Sequence, residues 1–330
     1  MSKKIIVTGA AGFIGSNLLA GLEKAGYDKI VCVDNYNSES KWKNVSKRYV
    51  VDYISIENLF SYLEEHRTEI QAIVHLGAIS STTEQNVDLI FATNYTLTLD
   101  IYKFCKCNKI QFLYASSAAT YGDGSNGFED SSDIQYLKHL QPLNAYGWSK
   151  NQTDLFISRN NGFNGMTSQA VGFKFFNVYG PNEYHKGNQK SVINTFFDQL
   201  ISTGRMNLFR SNDININDGE QTRDFIYVND CVDVILWFLS NPGISGIFNV
   251  GTGVATTFNH IAQMIARTVK KDCNINYTPM PETVASQYQN HTCANINKLR
   301  DAGYENMMTS IEDGIHDYIM NYLTKQDKYK

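Results

Sequence analysis

Short apolar runs alternate with amphipathic, helix-period stretches through the first half of the chain. Lys4 to Thr8, Lys29 to Asp34, Ile70 to Leu76 and Gln111 to Ser116 are β-branched or aromatic, and each is followed by Gly, Asn or Ser. Such runs predict strands. Their apolar character is continuous rather than alternating, as in strands buried on both faces. Phe13 to Ala25, Asn86 to Cys107 and Tyr146 to Arg159 carry the helical period between or after them. That order predicts an α/β fold, a doubly wound parallel sheet of Rossmann type. Later runs at Gln169 to Asn177, Phe225 to Val228 and Gly246 to Val250 are expected to continue the same sheet.

The second half mixes loops with helices. Asn212 to Thr222 is rich in Asn, Asp and Gly and predicts a surface loop; Pro279 to Gln289 carries two prolines and predicts an extended arm. Helices are expected at about Phe258 to Val269 and Ser310 to Tyr322. These stretches suggest a smaller α/β lobe over the open ends of the sheet. Sheet-like runs return after lobe-like ones, so the two interleave. The expected division is 1–177 plus about 224–250 for the sheet domain, and about 178–223 plus 251–330 for the lobe.

Composition narrows the class without changing that picture. The chain has 330 residues, 42% hydrophobic and 19% charged, with net charge −4, so it has no basic excess for nucleic acid or anionic membrane. Its first residues hold only a three-residue apolar stretch before a glycine turn, unlike a signal peptide, and no run approaches a membrane span. Six cysteines are scattered, and Cys105 and Cys107 fall in an apolar helical pattern. A reducing, cytoplasmic setting with no metal site is expected.

The first strand ends in Thr8-Gly9-Ala10-Ala11-Gly12-Phe13-Ile14-Gly15. Gly9 permits the tight turn, Gly12 lets a pyrophosphate approach the backbone, and Gly15 lets the helix pack on the strand. Amides and dipole at the helix start then favour phosphate. Asp34 closes the next strand, where an acid meets the adenosine ribose. The combination predicts a nicotinamide dinucleotide. Asp34 favours NAD, whereas Lys41 and Lys43 suit the 2′-phosphate of NADP.

Tyr146 and Lys150 stand at i and i+4, one face of a helix. A free tyrosine, with a pKa of about 10, is a poor base at neutral pH. A nearby ammonium and an oxidised nicotinamide ring both favour the phenolate. Ser117 ends the fourth strand, facing the ligand crevice, where it suits a substrate alcohol or ketone. Read alone, the pair is an ordinary helix face and Ser117 a turn cap; the glycine turn upstream favours the catalytic reading.

The motifs resemble those of the extended short-chain dehydrogenase/reductase superfamily over nearly the whole chain. Within it they are most similar to the ADP-L-glycero-D-manno-heptose 6-epimerases, enzymes of lipopolysaccharide-precursor synthesis. The runs that carry the resemblance are Ser80-Ser81-Thr82-Thr83-Glu84, Ala115 to Gly122, Gly172 to Pro181, His185-Lys186-Gly187, Thr222-Arg223-Asp224-Phe225 and Ser245 to Gly253. The first and the His-Lys-Gly step are the more specific to that family.

The resemblance implies hydride transfer from C6″ of an ADP-heptose to bound NADP and its return to the opposite face. It further implies Tyr146 and Lys186 as the two acid/bases, Ser117 and Lys150 as their catalytic partners, and a homo-oligomer, a pentamer on the family's pattern. Phe13, Ile14, Asp34, Asn35, Lys41, Leu76, Gly77, Ala78, Ile79, Ser80, Asn94, Lys150, Val178 and Lys186 would line the cofactor with the three glycines. Asn177, Asn188, Thr195, Phe209, Arg223 and Tyr288 would meet the sugar nucleotide, and Arg223 suits its diphosphate. Leu76, Ile56, Asn188 and Thr195 depart from the family's usual residues, as does the length of the Asn212 to Thr222 stretch.

Two rivals remain at this level. A 4-epimerase shuttles its proton with the tyrosine alone, and a dehydratase needs acids where Ala118 and Ala119 stand. A non-catalytic NAD(P) sensor would keep the glycine turn without Ser117, Tyr146 and Lys150.

Overall fold

Six of the predicted runs pair side by side with one short strand that the apolar pattern does not mark, Asp52–Ile54, all parallel. They are β1 (Lys4–Thr8), β2 (Ile30–Val33), β3 (Asp52–Ile54), β4 (Ile70–His75), β5 (Gln111–Ser117), β6 (Ala170–Phe175) and β10 (Gly246–Val250), in the order β10-β6-β5-β4-β1-β2-β3. This computed structural model describes residues 3–36, 40–82, 84–164, 168–285 and 288–330. Thr83 of the Ser-Ser-Thr-Thr-Glu run and positions 286–287 of the predicted arm lie outside the described residues.

Strand order reverses between β1 and β4, and a crevice opens there at the carboxyl ends of the strands. Alternate side chains of each strand feed opposite faces. Ile5, Val7, Val74 and Val171 pack under α1 (Phe13–Lys24), while Ile6, Val31, Ile73 and Phe112 pack under α2 (Leu59–His66). The second face is completed by a long helix in two parts, α3 (Val87–Phe91) and α4 (Leu97–Asn108), then by α5 (Ile134–His139) and α6 (Ala145–Arg159).

The predicted helix from Asn86 to Cys107 is therefore present but not uniform. Residues Ala92–Thr96 form a π turn inside it, which turns Asn94 inward.

The run at Phe225 to Val228 is a correction: it does not join the main sheet. After β6 the chain steps out at Phe176 and forms β7 (Asn177–Tyr179). After β8 (Met206–Phe209), β9 (Thr222–Tyr227) pairs with β7 and with β11 (Ala255–Thr257) in a separate three-stranded sheet. β6 already has β10 as its outer neighbour, so β9 pairs instead with β7 and β11. Asp224 is buried on β9, and the amides that satisfy it come from Thr252, Gly253 and Ala294, beyond the end of β10. Val228 already begins the next helix.

Around this second sheet pack α7 (Val192–Thr203), α8 (Val228–Ser240), α9 (Phe258–Thr268) and α12 (Ile311–Tyr318), with β12 (Ile275–Thr278) beside β8. Helix α8 also lies on α1, so it bridges both units. Short α10 (Glu282–Ala285) interrupts the arm expected to be extended, and α11 (Asn297–Asp301) follows it. Ile14 and Val178 pack against both cores, where the two units meet beneath the crevice.

Candidate active site

The glycine turn is held by backbone contact. Gly9 has φ +65, and a Cβ there would stand 2.6 Å from the Gly77 nitrogen; a Cβ on Gly15 would stand 2.1 Å from the Gly9 carbonyl oxygen. Only glycine lets the β1 and β4 loops lie this close. Helix α1 begins at Gly12, which offers no side-chain cap, and its first turn contains no acid. Its end is therefore free to meet an anion, as a dinucleotide pyrophosphate requires. Beside it, Asp34 accepts from the Ala11 N–H at 2.8 Å and pairs with the Lys41 ammonium at 2.5 Å.

Helix α6 sets the catalytic pair. Asn144 caps it by accepting from the Gly147 N–H at 2.9 Å. Gly147 then rides on the turn after β5: a Cβ there would meet the Ala119 carbonyl oxygen at 2.5 Å. This contact sets Tyr146 beside Ser117 at the end of β5, whose hydroxyl favours the phenolate. Burial nonetheless pushes the Tyr146 phenol above its ordinary value, and the Ser117 hydroxyl only partly offsets that. Lys150 is drawn down to about 8 by burial, against the opposing pull of Asp154. Among the protein's own groups, then, burial wins over the expected lowering of the tyrosine.

From the other unit comes Lys186, in a 3-10 segment at Tyr184–Gln189. Its ammonium lies 5.6 Å from the centre of the Phe13 ring, a cation–π distance. Burial lowers its proton affinity, and Glu183 raises it. His185, next to it, shares a 3.1 Å contact with Asn44 and is pulled to about 4 by burial and by Lys41 and Lys186.

All of these groups open onto one cleft of about 820 Å³. Its walls carry Gly9, Gly12, Phe13, Ile14, Gly15, Asp34, Lys41, Leu76, Gly77, Ala78, Ser80, Ser117, Tyr146, Lys150, Val178, Lys186 and Asn188, as the sequence predicts. His185 and Gln189 line it too, and sequence reasoning assigned them no role. His185 sat inside a quoted motif, which was the available signal.

Several predicted residues stand elsewhere. Asn94 is 0% exposed, because its amide bonds both the N–H and the carbonyl of Ile79 at 2.8 and 2.9 Å. It shapes the wall through Ile79, and neither residue lines the cleft. Asn35 lies at the rim, its carbonyl held by Lys41. Thr195 sits in the first turn of α7, Asn177 faces Thr292, and Phe209 ends β8 partly exposed. Arg223 and Tyr288 form a second cluster, the guanidinium 4.8 Å from that ring and 5.8 Å from the Phe258 ring. Burial lowers the Arg223 proton affinity, and its guanidinium donates to the Thr222 carbonyl at 2.9 Å; a guanidinium of this kind suits a diphosphate.

Residues 5–251 match the description of the NAD dependent epimerase/dehydratase family. An ADP-L-glycero-D-manno-heptose-6-epimerase of Nitratidesulfovibrio vulgaris is 44% identical over 326 residues, 98% of this chain and 99% of that one. The crystal structure of the Helicobacter pylori ADP-L-glycero-D-manno-heptose-6-epimerase superimposes with TM-score 0.77 at 27% identity, covering 97% of this chain and 96% of that one. A UDP-N-acetylglucosamine 4-epimerase from Methanobrevibacter ruminantium superimposes with TM-score 0.81 at 23% identity, over 96% and 97% of the two chains, a likeness of fold.

Proposed function

This chain belongs to the NAD dependent epimerase/dehydratase family, and from that premise we propose how it works as an ADP-glyceromanno-heptose 6-epimerase. It is an isomerase that holds a nicotinamide dinucleotide and takes a sugar nucleotide as substrate. The observation that carries the mechanism is the meeting of Tyr146 and Lys186, from two different units, on the walls of one cleft.

When bound, the nicotinamide would supply the hydride acceptor and donor, and the positive charge of its oxidised ring would favour a phenolate. Inversion at C6″ needs a proton moved on each face of the sugar. Tyr146 serves one face, with Ser117 bonding the substrate oxygen and Lys150 favouring the phenolate. Lys186 serves the other; half-buried, it exchanges its proton more readily than a surface lysine. Arg223 would hold the diphosphate between Tyr288 and Phe258. Asn177, Asn188, Thr195 and Phe209 complete the substrate side of the proposal.

NADP is the proposed cofactor. Asp34 is already engaged by Lys41, so its charge is compensated, and Lys41 would be the residue to meet a 2′-phosphate. The proposal keeps a homo-oligomer, a cytoplasmic setting and an interleaved two-unit division, with β9 (Thr222–Tyr227) now assigned to the substrate unit. Its six cysteines are all free, which suits a reducing compartment.

The test is turnover of ADP-D-glycero-D-manno-heptose, followed by NMR, with UDP-galactose as control. Inversion of the first alone is the expected result. Turnover of UDP-galactose alone would make the chain a 4-epimerase.

A further inference from the structure

Glu183 has no part in the chemistry above, yet it is 0% exposed three residues before Lys186. A buried carboxylate is costly unless donors surround it. Here Ser191 gives both its N–H and its hydroxyl, the latter at 2.7 Å; Tyr318 donates its hydroxyl at 3.0 Å, and the Gly180 N–H approaches at 3.5 Å. Gly180 and Ser191 are the two ends of the loop that carries Lys186. Tyr318, on α12, is itself fixed by the Asn194 amide at 2.8 Å. Glu183 also receives the Lys186 backbone N–H on its carbonyl at 3.0 Å.

The same loop is tied to the glycine-turn helix from its other side. Asn17 donates to the Pro181 carbonyl and Asn182 to the Ser16 hydroxyl, at 2.9 and 3.0 Å. Asn44 reaches the Asn182 carbonyl at 3.1 Å. These contacts fix where the loop begins. Among the described residues, the Glu183 clasp joins its beginning, at Gly180, to its end, at Ser191.

We propose that Glu183 is the positioning residue of the second acid/base: its buried carboxylate closes the loop from Gly180 to Ser191 and so holds Lys186 in the cleft. This rests on the role given to Lys186 above. Position matters here because a misplacement of about 1 Å costs on the order of 100-fold in rate. Its charge acts on Lys186 as well. Other charged groups around the loop include Asp34 and Lys41, which pair with one another, Lys190, which pairs with Asp198 at 2.7 Å, and His185, which is held neutral.

The experiment compares Glu183→Gln, Tyr318→Phe and Lys186→Met in the full chain with NADP added. Epimerisation of ADP-heptose is one readout. Competitive acetylation of Lys186 against the exposed Lys103, read by peptide mass, is the other and needs no turnover. We expect Glu183→Gln to lower kcat roughly 100-fold with KM changed less than threefold. Tyr318→Phe, a gentler cut at the clasp far from the reacting atoms, should lower kcat by roughly 3- to 10-fold, one hydrogen bond's worth. Both should change Lys186 acetylation and leave Lys103 unaltered. Should Glu183→Gln fail to fold, the Tyr318→Phe result decides. Unchanged kcat and unchanged Lys186 acetylation in the folded variants would overturn the proposal. If Lys186→Met keeps full activity, the two-base reading fails instead, and acetylation alone then judges the clasp.

Discussion

Lys150 and Lys41 show how far one charged side chain can reach. Lys150 gives up its proton near pH 8, because burial disfavours its charge. The ammonium form is the one that favours a Tyr146 phenolate, so it is present below about 8 and lost above. We expect kcat to fall on the alkaline side with a midpoint near that value, and Lys150→Arg, which stays charged, to move the fall to higher pH. A pH–rate profile of both proteins checks this. At the ribose end, Lys41→Ala should weaken NADP by roughly 10- to 100-fold, the worth of one charge-assisted hydrogen bond, and NAD by far less. Titration with both cofactors measures the difference; equal losses would contradict the 2′-phosphate contact.

At the scale of elements, α6 depends on two buried features that have no signature in its own apolar pattern. Gly147 lets the helix rest on the turn after β5. Asp154 and Lys174 form an ion pair of 3.2 Å with both side chains fully buried, joined to Tyr114, Ser116 and Thr120. Thr120 in turn bonds the Ser117 carbonyl, so the network ties α6 to the strand end that carries Ser117. Lys174→Met strands the Asp154 charge and should cost about 3–5 kcal/mol of stability. Adding Asp154→Leu removes the stranded charge, and stability should recover in large part. Denaturant unfolding of the three proteins tests the recovery. Gly147→Ala should cost about 1–3 kcal/mol through overpacking and lower kcat as well, since Tyr146 moves with its helix.

Across the whole molecule, the cleft is walled by both units and the cores beneath it share Ile14 and Val178. A ligand that fills the cleft should therefore stabilise both together. NADP at 100 times its Kd adds about 2.7 kcal/mol to whatever cooperative unit it binds. We expect a single calorimetric transition that moves upward as a whole. Two transitions, with only the earlier or later one shifted, would mean that the units unfold apart.

The six apolar strands of the main sheet, the glycine turn and the Tyr146–Lys150 pair were legible in the sequence because each is local; β3, with Asp52 and Tyr53 exposed, carries no such pattern. A strand buried on both faces must be apolar throughout, a tight phosphate turn must be glycine, and i, i+4 residues must share a helix face. The sequence also marked Lys186 and Arg223, though only through a family's motifs. Long-range pairing was beyond it. β9 looks like any other apolar run, and only its pairing with β7 and β11 shows that it leaves the main sheet. That Asn94 stands on a π turn with its amide bonded to Ile79 is likewise invisible in its own stretch of sequence. Glu183 reads as an ordinary loop acid until Ser191 and Tyr318 fold around it. Chain spacing sets what one element can present, and the partner that satisfies a buried charge comes from far along the chain. For that reason only the tertiary structure decided which residues hold the catalytic ones in place.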